Sequence, residues 1–236
     1  MEIVTHCYHY PRLLRYQLSS LLLSPPAGVN VTMTVCFAEE DEPTWEVLEW
    51  FGAQAVSCVQ WNWLALPALE LCRRSIGRNR AALATEADWI WFSDADYLWG
   101  AGCWTALAMM PEPRKPLIYP RMVQMQRWRG LGDASIAAVD VSAGLVQVNP
   151  GDFAPVRMRR AIGGIQIARG AVCRDRGYLR HWRKWQTPPQ RAVFQKCRED
   201  LFFRRDLGTS GQAVELPEVY RLRHSRAGRD DPALRL

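Results

Sequence analysis

A chain of 236 residues has room for one domain of ordinary size, and 48% apolar against 23% charged residues supply a full core and exclude disorder as its main character. No apolar run reaches the roughly 18 residues that a membrane helix needs, so Leu21-Leu22-Leu23 and Trp89-Ile90-Trp91-Phe92 read as core pieces. The net charge of +6 is unevenly spread: residues 1–110 carry 6 Lys/Arg and 12 Asp/Glu, residues 111–236 carry 24 and 12. An acidic half suits a cation and a basic half something anionic, although a merely solvated basic face would look the same.

The first half alternates. Ile3–Cys7 reads as a strand, Leu13–Leu23 as a helix broken by Pro25-Pro26-Ala27-Gly28, and Val31–Phe37 as a β-branched strand. Pro43–Phe51 follows as a helix with Pro at its start, Ala55–Gln60 as a strand and Leu66–Thr85 as mostly helix. Asp88–Ser93 is a continuous apolar run, the mark of a strand covered on both faces. Beyond it the pattern is less regular. Leu117–Gln124 and Ala143–Val148 read as strands, Cys197–Leu207 as a helix, and Arg129–Asp133, Asn149–Asp152 and Gly163-Gly164 as turns. A polar tail from Ala227 to Leu236 reads as mobile. Strands alternating with helices predict an α/β domain with a mainly parallel sheet and right-handed crossovers.

The 7 cysteines are scattered, no two within four residues, which excludes zinc ribbons and redox CxxC pairs. Reduced, buried thiols fit a cytoplasm, and Met1–His6 lacks a basic stretch ahead of an apolar one, so the expectation is a soluble cytoplasmic protein. His6 and His9 flank Cys7 without metal-site spacing. The P-loop and G-x-G-x-x-G signatures do not occur. Among the 11 tryptophans, Trp128, Trp182 and Trp185 sit amid arginines, a mixture that stacks sugars or bases beside phosphates and equally serves as cation–π packing.

The sharpest feature is Trp89-Ile90-Trp91-Phe92-Ser93-Asp94-Ala95-Asp96. Ligands of open parallel sheets bind beyond the carboxyl ends of the strands, and this strand delivers two carboxylates to that edge. Both can approach one hard cation, and Mg²⁺ and Mn²⁺ usually share such ligands with substrate phosphates.

With Arg78-Asn79-Arg80 ahead of it, that strand resembles the nucleotide-sugar half of a GT-A glycosyltransferase, most like family 2. Gly163-Gly164-Ile165-Gln166-Ile167-Ala168-Arg169 is similar to the acceptor-side glycine pair and its strand. Arg198-Glu199-Asp200 resembles the motif whose last acid is the catalytic base, and Tyr220-Arg221-Leu222-Arg223-His224 the segment that supplies a histidine to the metal. The resemblance covers residues 2–226 and implies a single GT-A domain, with a nucleotide-sugar half over 1–110 and an acceptor and catalytic half over 111–226. Two departures stand out. Relatives place an Asp pair after the second strand where this chain has Ala38-Glu39-Glu40-Asp41, and Gln124-Met125-Gln126-Arg127-Trp128 spells a polysaccharide-synthase signature ahead of Asp200 rather than after it. We read the latter as coincidence.

The resemblance implies an inverting hexosyltransferase that uses a nucleoside diphosphate-sugar, a UDP-sugar first, with Mn²⁺ or Mg²⁺. Its implied metal ligands are Asp96, Asp94 and His224. Arg78, Asn79, Asp94, Asp96, Glu40 and Asp41 would hold the donor, Gly163, Gly164 and Glu199 the acceptor side, and Asp200 would be the base. Glu199 and Asp200 also suit an ordinary acidic first helical turn. The basic half points to an anionic acceptor: DNA carrying hydroxymethylated pyrimidines, as in phage, or a polysaccharide or lipid-linked glycan. A non-catalytic nucleotide-sugar or carbohydrate-binding module on the same scaffold is the reading from another class.

Overall fold

The computed structural model describes residues 1–140, 144–194 and 198–224. In the first half β1 (Glu2–His6), α1 (Pro11–Leu23), β2 (Val31–Phe37), α2 (Glu42–Gly52) and β3 (Val59–Ala65) lead into α3 (Ala68–Leu71), α4 (Arg74–Ala84) and β4 (Trp89–Phe92). Then come β5 (Tyr97–Trp99), α5 (Ala101–Ala108), β6 (Leu117–Pro120), β7 (Met122–Gln126), α6 (Arg129–Ala137) and β8 (Phe153–Arg157). The last elements are β9 (Gln166–Arg169), α7 (Gly170–Arg176), α8 (Glu199–Asp206), β10 (Gln212–Val214) and β11 (Val219–Arg221).

Seven strands form the main sheet in the order β10-β6-β9-β4-β1-β2-β3, parallel throughout except for β9, which runs antiparallel to β4 and β6. This is the expected α/β fold with a mainly parallel sheet. β5, β11, β7 and β8 form a second sheet, in which β11 joins β5 to β7. β4 lies between β1 and β9, and Ile90, Trp91 and Phe92 are completely buried. The continuous apolar run follows from that position, since both of its faces are covered.

Several boundaries differ from expectation for identifiable reasons. The third strand begins at Val59 rather than Ala55, and its signal is the alternation Gln60-Trp61-Asn62-Trp63: the two indoles stack at 5.7 Å while Asn62 bonds Thr34. The stretch Leu66–Thr85, expected as mostly helix, is two helices, α3 and α4, separated at Cys72-Arg73. Leu117–Gln124 is two strands in two sheets: pairing with β9 stops at Ile118, before Pro120, which has no N–H to give a ladder.

Arg129–Asp133, expected as a turn, opens α6, where Gly132 lets the helix meet the backbone of Arg223. Residues 144–148 are not a strand, because α1 takes their backbone groups: Arg15 donates to the Gly144 carbonyl at 2.8 Å and Ser19 accepts from Val146 N–H. Cys7, Cys36, Cys72, Cys103 and Cys173 are buried as expected, whereas Cys58 is only half-buried, and burial pushes Cys7 and Cys173 up to about 12. Cys197, Ala143 and the tail from Ala227 lie outside the described residues.

Candidate active site

The two carboxylates sit where β4 gives way to β5. Ser93 N–H still bonds the Val4 carbonyl, and the chain then turns, with Tyr97 N–H closing onto the Asp94 carbonyl at 3.1 Å. The buried Gln17 of α1 fastens this turn: its Nε2 donates to the carbonyls of Asp94 and Tyr97, each at 2.9 Å. A backbone that would otherwise lose its sheet partners is thereby satisfied by one amide.

Asp94 and Asp96 have different surroundings. Asp94 keeps 28% of its side chain exposed, accepts from Arg78 Nη2 at 3.1 Å, and has Arg74 at 3.9 Å. Burial works to raise its carboxyl, but Arg74, Arg78 and Arg221 together hold it below the ordinary value. Asp96 is 6% exposed, so it is not the solvated strand-end carboxylate that its position in the sequence suggests. Its Oδ2 accepts from Arg221 Nε at 2.8 Å, and its Oδ1 is buried without a hydrogen-bond partner. Burial, joined by the charge of Asp94, raises its carboxyl above the ordinary value against the pull of Arg221.

Two adjoining cavities open from this turn. One of about 300 Å³ is bordered by His6, Arg74, Asp94, Asp96, Arg221 and His224, among others. The second, about 270 Å³, is bordered by Arg74, Arg78, Asp94, Gly163, Glu199 and Asp200, together with Ile162. Arg74 and Asp94 belong to both, so the cavities form one cleft with the Asp pair at one end and the head of α8 at the other. Its combined size falls in the range of small-ligand sites.

At the second end, Asp200 is 26% exposed and accepts from Arg204 Nη1, one helical turn on, at 3.1 Å. Glu199 is buried, with Oε1 accepting from Ser75 Oγ at 3.1 Å and Oε2 without a hydrogen-bond partner. Gly163 borders the cleft, but Gly164 lies beneath it. The Gly164 carbonyl accepts from Trp91 Nε1, and a side chain there would run into the Tyr97 ring. Arg78 is almost wholly buried: its Nη2 donates to Asp94 and the Ser93 carbonyl and its Nη1 to Tyr178 Oη, while its Nε has no hydrogen-bond partner. His224 borders the Asp-pair end, its ring edge-on to Tyr10 at 6.2 Å.

Three residues proposed from the sequence lie elsewhere. Asn79 Oδ1 accepts from Tyr178 N–H, which ties α4 to the segment after α7. Glu40 is exposed, whereas Asp41 is fully buried and accepts from His9 N–H at 2.6 Å and Thr44 Oγ1 at 2.7 Å, fixing the start of α2. None of the three borders either cavity.

Sequence reasoning passed over Arg74 and Gln17, quoted Arg221 only as part of the segment ahead of His224, and set His6 aside for want of metal-site spacing. Arg74 was discoverable from its spacing, since it lies four residues before Arg78 on the same helical face. His6 is buried with neither ring nitrogen hydrogen-bonded, and burial, reinforced by Arg78 and Arg74, keeps it neutral well below the ordinary histidine value. Among the described residues no three His, Cys, Asp or Glu side chains gather as a ready metal cage, and no helix is long and apolar enough to cross a membrane.

No protein-family model matches the chain, and no curated protein is similar to it in sequence. Solved structures are similar in fold. Staphylococcus aureus TarS 1–349 superposes with a TM-score of 0.57 at 13% identity, over 93% of this chain and 59% of that one. The Pyrobaculum calidifontis mannosyltransferase PcManGT, solved with GDP-Man and Mn²⁺, gives 0.54 at 11% identity over 95% and 57%. An inositol-1-phosphate CTP transferase from T. maritima gives 0.52 at 10% identity over 99% and 92%. This chain thus spans less than two thirds of the length of the two glycosyltransferase structures. Identities this low carry the architecture alone, and the architecture is the GT-A fold.

Proposed function

We propose that the chain is a metal-dependent, inverting glycosyltransferase that moves a sugar from a nucleoside diphosphate-sugar to a hydroxyl acceptor. The observation that carries this reading is the cleft itself, with two carboxylates at the end of the central strand and a third acid across from them at the head of α8. In such a reaction the acceptor hydroxyl loses a proton as its oxygen attacks the anomeric carbon from the face opposite the diphosphate. Asp200 takes that proton in our reading, with Arg204 holding one carboxylate oxygen and so setting the direction of the other.

The residues fit a divalent cation of the kind that borrows ligands from its substrate. Asp96 Oδ1 is a buried acceptor without a partner, and Asp94 and His224 border the same cavity. Mg²⁺ and Mn²⁺ sites often consist of one or two carboxylates completed by phosphates and water. A cation held there would neutralise charge on the leaving diphosphate. A UDP-sugar is our first choice of donor, the class with which S. aureus TarS 1–349 has been solved.

For the acceptor, two exposed tryptophans among basic side chains favour an anionic partner: Trp128, 64% exposed, between Arg127 and Arg129, and Trp182 between His181 and Arg183. Of the anionic acceptors, hydroxymethylpyrimidine DNA would show affinity that falls steeply with salt, and a lipid-linked glycan or surface polysaccharide would not need duplex binding at all.

The experiment is a panel of nucleotide sugars, each tested for slow Mn²⁺-dependent hydrolysis and for protection against heat, which needs no acceptor. Hydrolysis and protection by one nucleotide sugar support the reading. Protection without hydrolysis would favour the non-catalytic binding module. Pyrophosphate release from CTP, with no nucleotide sugar used, would move the cleft to the chemistry named for the T. maritima protein.

A further inference from the structure

We propose that Tyr178 is a positioning residue: its hydroxyl, joining Arg78 to Gln166, holds the head of α8, and with it Asp200, at a fixed distance from Asp94. The proposal rests on the reading of the cleft as a glycosyltransferase site with Asp200 as its base.

The two ends of the cleft belong to elements far apart in the chain, Asp94 just after β4 and Asp200 in the first turn of α8. A hydrogen-bond path beneath the cleft joins them. Arg78 Nη2 donates to Asp94 Oδ1 and its Nη1 to Tyr178 Oη, each at 3.1 Å. Tyr178 Oη donates to Gln166 Oε1 at 3.0 Å, and Gln166 Nε2 donates to the Asp200 carbonyl at 3.3 Å. Arg78, Tyr178 and Gln166 are all buried, so water is not at hand to replace a lost link.

The path runs in one direction. A guanidinium only donates, so the phenol accepts from Arg78 and gives its single proton to Gln166. That sets the Gln166 amide with its oxygen toward Tyr178 and its N–H toward Asp200. Burial raises the Tyr178 phenol, which keeps that proton in place at neutral pH.

The ring makes separate contacts. It stacks on Phe203 of α8 at 4.2 Å and meets Phe92 of β4 edge-on at 4.7 Å. Phe92 is also the residue opposite Gln166 in the ladder between β4 and β9. Tyr178 thus touches β4 and α8 at once, and its hydroxyl can be removed without its ring. Ser75 reaches α8 as well, but through the Glu199 side chain, whereas the path through Tyr178 ends on the Asp200 main chain.

The distance between the leaving diphosphate and the base decides whether the attacking oxygen lies in line with the anomeric carbon, and a misplacement of about 1 Å can cost about a hundredfold. Loss of the hydroxyl releases Gln166 and lets α8 shift, while Arg78 keeps Asp94 through Nη2. Turnover and donor affinity should therefore separate.

The test is Tyr178→Phe in the full chain. Calorimetry with UDP in Mn²⁺ gives the affinity and, from the stoichiometry, the folded fraction. Hydrolysis of a panel of nucleotide sugars, UDP-GlcNAc first, gives turnover with water as the acceptor. We expect kcat per folded molecule to fall about tenfold to a hundredfold, with UDP affinity and KM within about twofold of the parent. Gln166→Met breaks the path one link later, should show the same split, and serves if Tyr178→Phe does not fold. The double variant should be no slower than the slower single one, because one path is broken in either case. Tyr16→Phe loses a hydroxyl that donates to the Ser135 carbonyl and should keep its kcat. Parental kcat in a folded Tyr178→Phe or Gln166→Met variant would overturn the proposal while the reading of the cleft stood, and so would losses that multiply in the double variant. A parent chain that neither binds UDP nor hydrolyses any nucleotide sugar would instead sink that reading, and the positioning role with it.

Discussion

The Arg78 guanidinium lies 3.1 Å from Asp94 Oδ1, with 2% of the arginine side chain exposed and 28% of the aspartate. One member of the pair is thus sealed under the site while the other faces the cleft. The aromatic rings of Phe92 and Tyr178, 5.9 and 5.4 Å from the guanidinium, close it off from water. Arg78 therefore holds Asp94 in place from beneath the cleft.

Arg78→Met should consequently cost stability. Breaking a buried ion pair typically costs about 3–5 kcal/mol, and the partial exposure of Asp94 lets water recover some of that, so we expect about 2–3 kcal/mol. Urea denaturation measures it. A variant as stable as the parent would mean that the pair is not part of what holds α4 to β4.

Acid should act on the fold through His6. Its folded value lies well below the ordinary one, so the unfolded chain binds the proton first and stability falls as pH drops below about 6.5. The slope from this group approaches about 1.4 kcal/mol per pH unit and persists until the folded imidazole itself titrates. His6→Gln removes the titration, so its stability should vary less between pH 7 and pH 5. Parallel curves for the two proteins would show that His6 is not kept neutral in the fold.

The architecture was legible where one force dominated. Burial on both faces makes β4 a continuous apolar run, and the two carboxylates after it mark the sheet edge where ligands collect. β10, three residues long, was invisible because a strand so short has no period to read. The site was half legible. A motif names Asp94 and Asp96, but their charge partners are Arg78 and Arg221, sixteen residues before one and 125 after the other. Asn79 and Asp41 show the converse. Their sequence contexts resemble ligand contacts, yet Asn79 Oδ1 accepts from Tyr178 N–H and Asp41 Oδ2 from His9 N–H and Thr44 Oγ1. Only tertiary contacts decide such cases.

Asp96→Asn should abolish the Mn²⁺-dependent part of UDP binding, read by calorimetry as the difference between Mn²⁺ and EDTA. The amide keeps the shape of the carboxylate and an oxygen for Arg221, so the fold should survive. A pH dependence follows from the raised carboxyl. The cation needs ionised Asp96, so its contribution should fade on acidification at pH values above the ordinary carboxylate range, about 3.9. The sign for stability is opposite: ionised Asp96 costs the fold free energy at neutral pH, and that cost is relieved as pH falls. Acid should thus weaken the cation site before Asp96 harms the fold. An undiminished Mn²⁺ effect in the variant would remove Asp96 from the cation's ligands.

The base is the remaining assignment, and the two adjacent acids of α8 can be told apart. Asp200→Asn should lower turnover by about a hundredfold, a common worth of a positioned general base, while donor affinity stays nearly constant. The reason is spatial: Asp200 borders the cavity that also holds Gly163 and Glu199, whereas Asp96, Arg221 and His224 border the other. Charge removed from Asp200 therefore spares the diphosphate and touches only the step in which the hydroxyl attacks. Glu199→Gln should behave differently. Glu199 is 3% exposed and bonded to Ser75, so its loss should appear mainly as reduced stability, with turnover per folded molecule changed far less. Measuring kcat, KM and the urea midpoint for both variants separates these effects. A dead but stable Glu199→Gln beside a nearly normal Asp200→Asn would exchange the two roles, with the unpartnered Glu199 Oε2 as the proton acceptor. Full transfer activity in both would leave the pair as an acidic first turn of α8, and the base would have to be sought elsewhere than in these two acids.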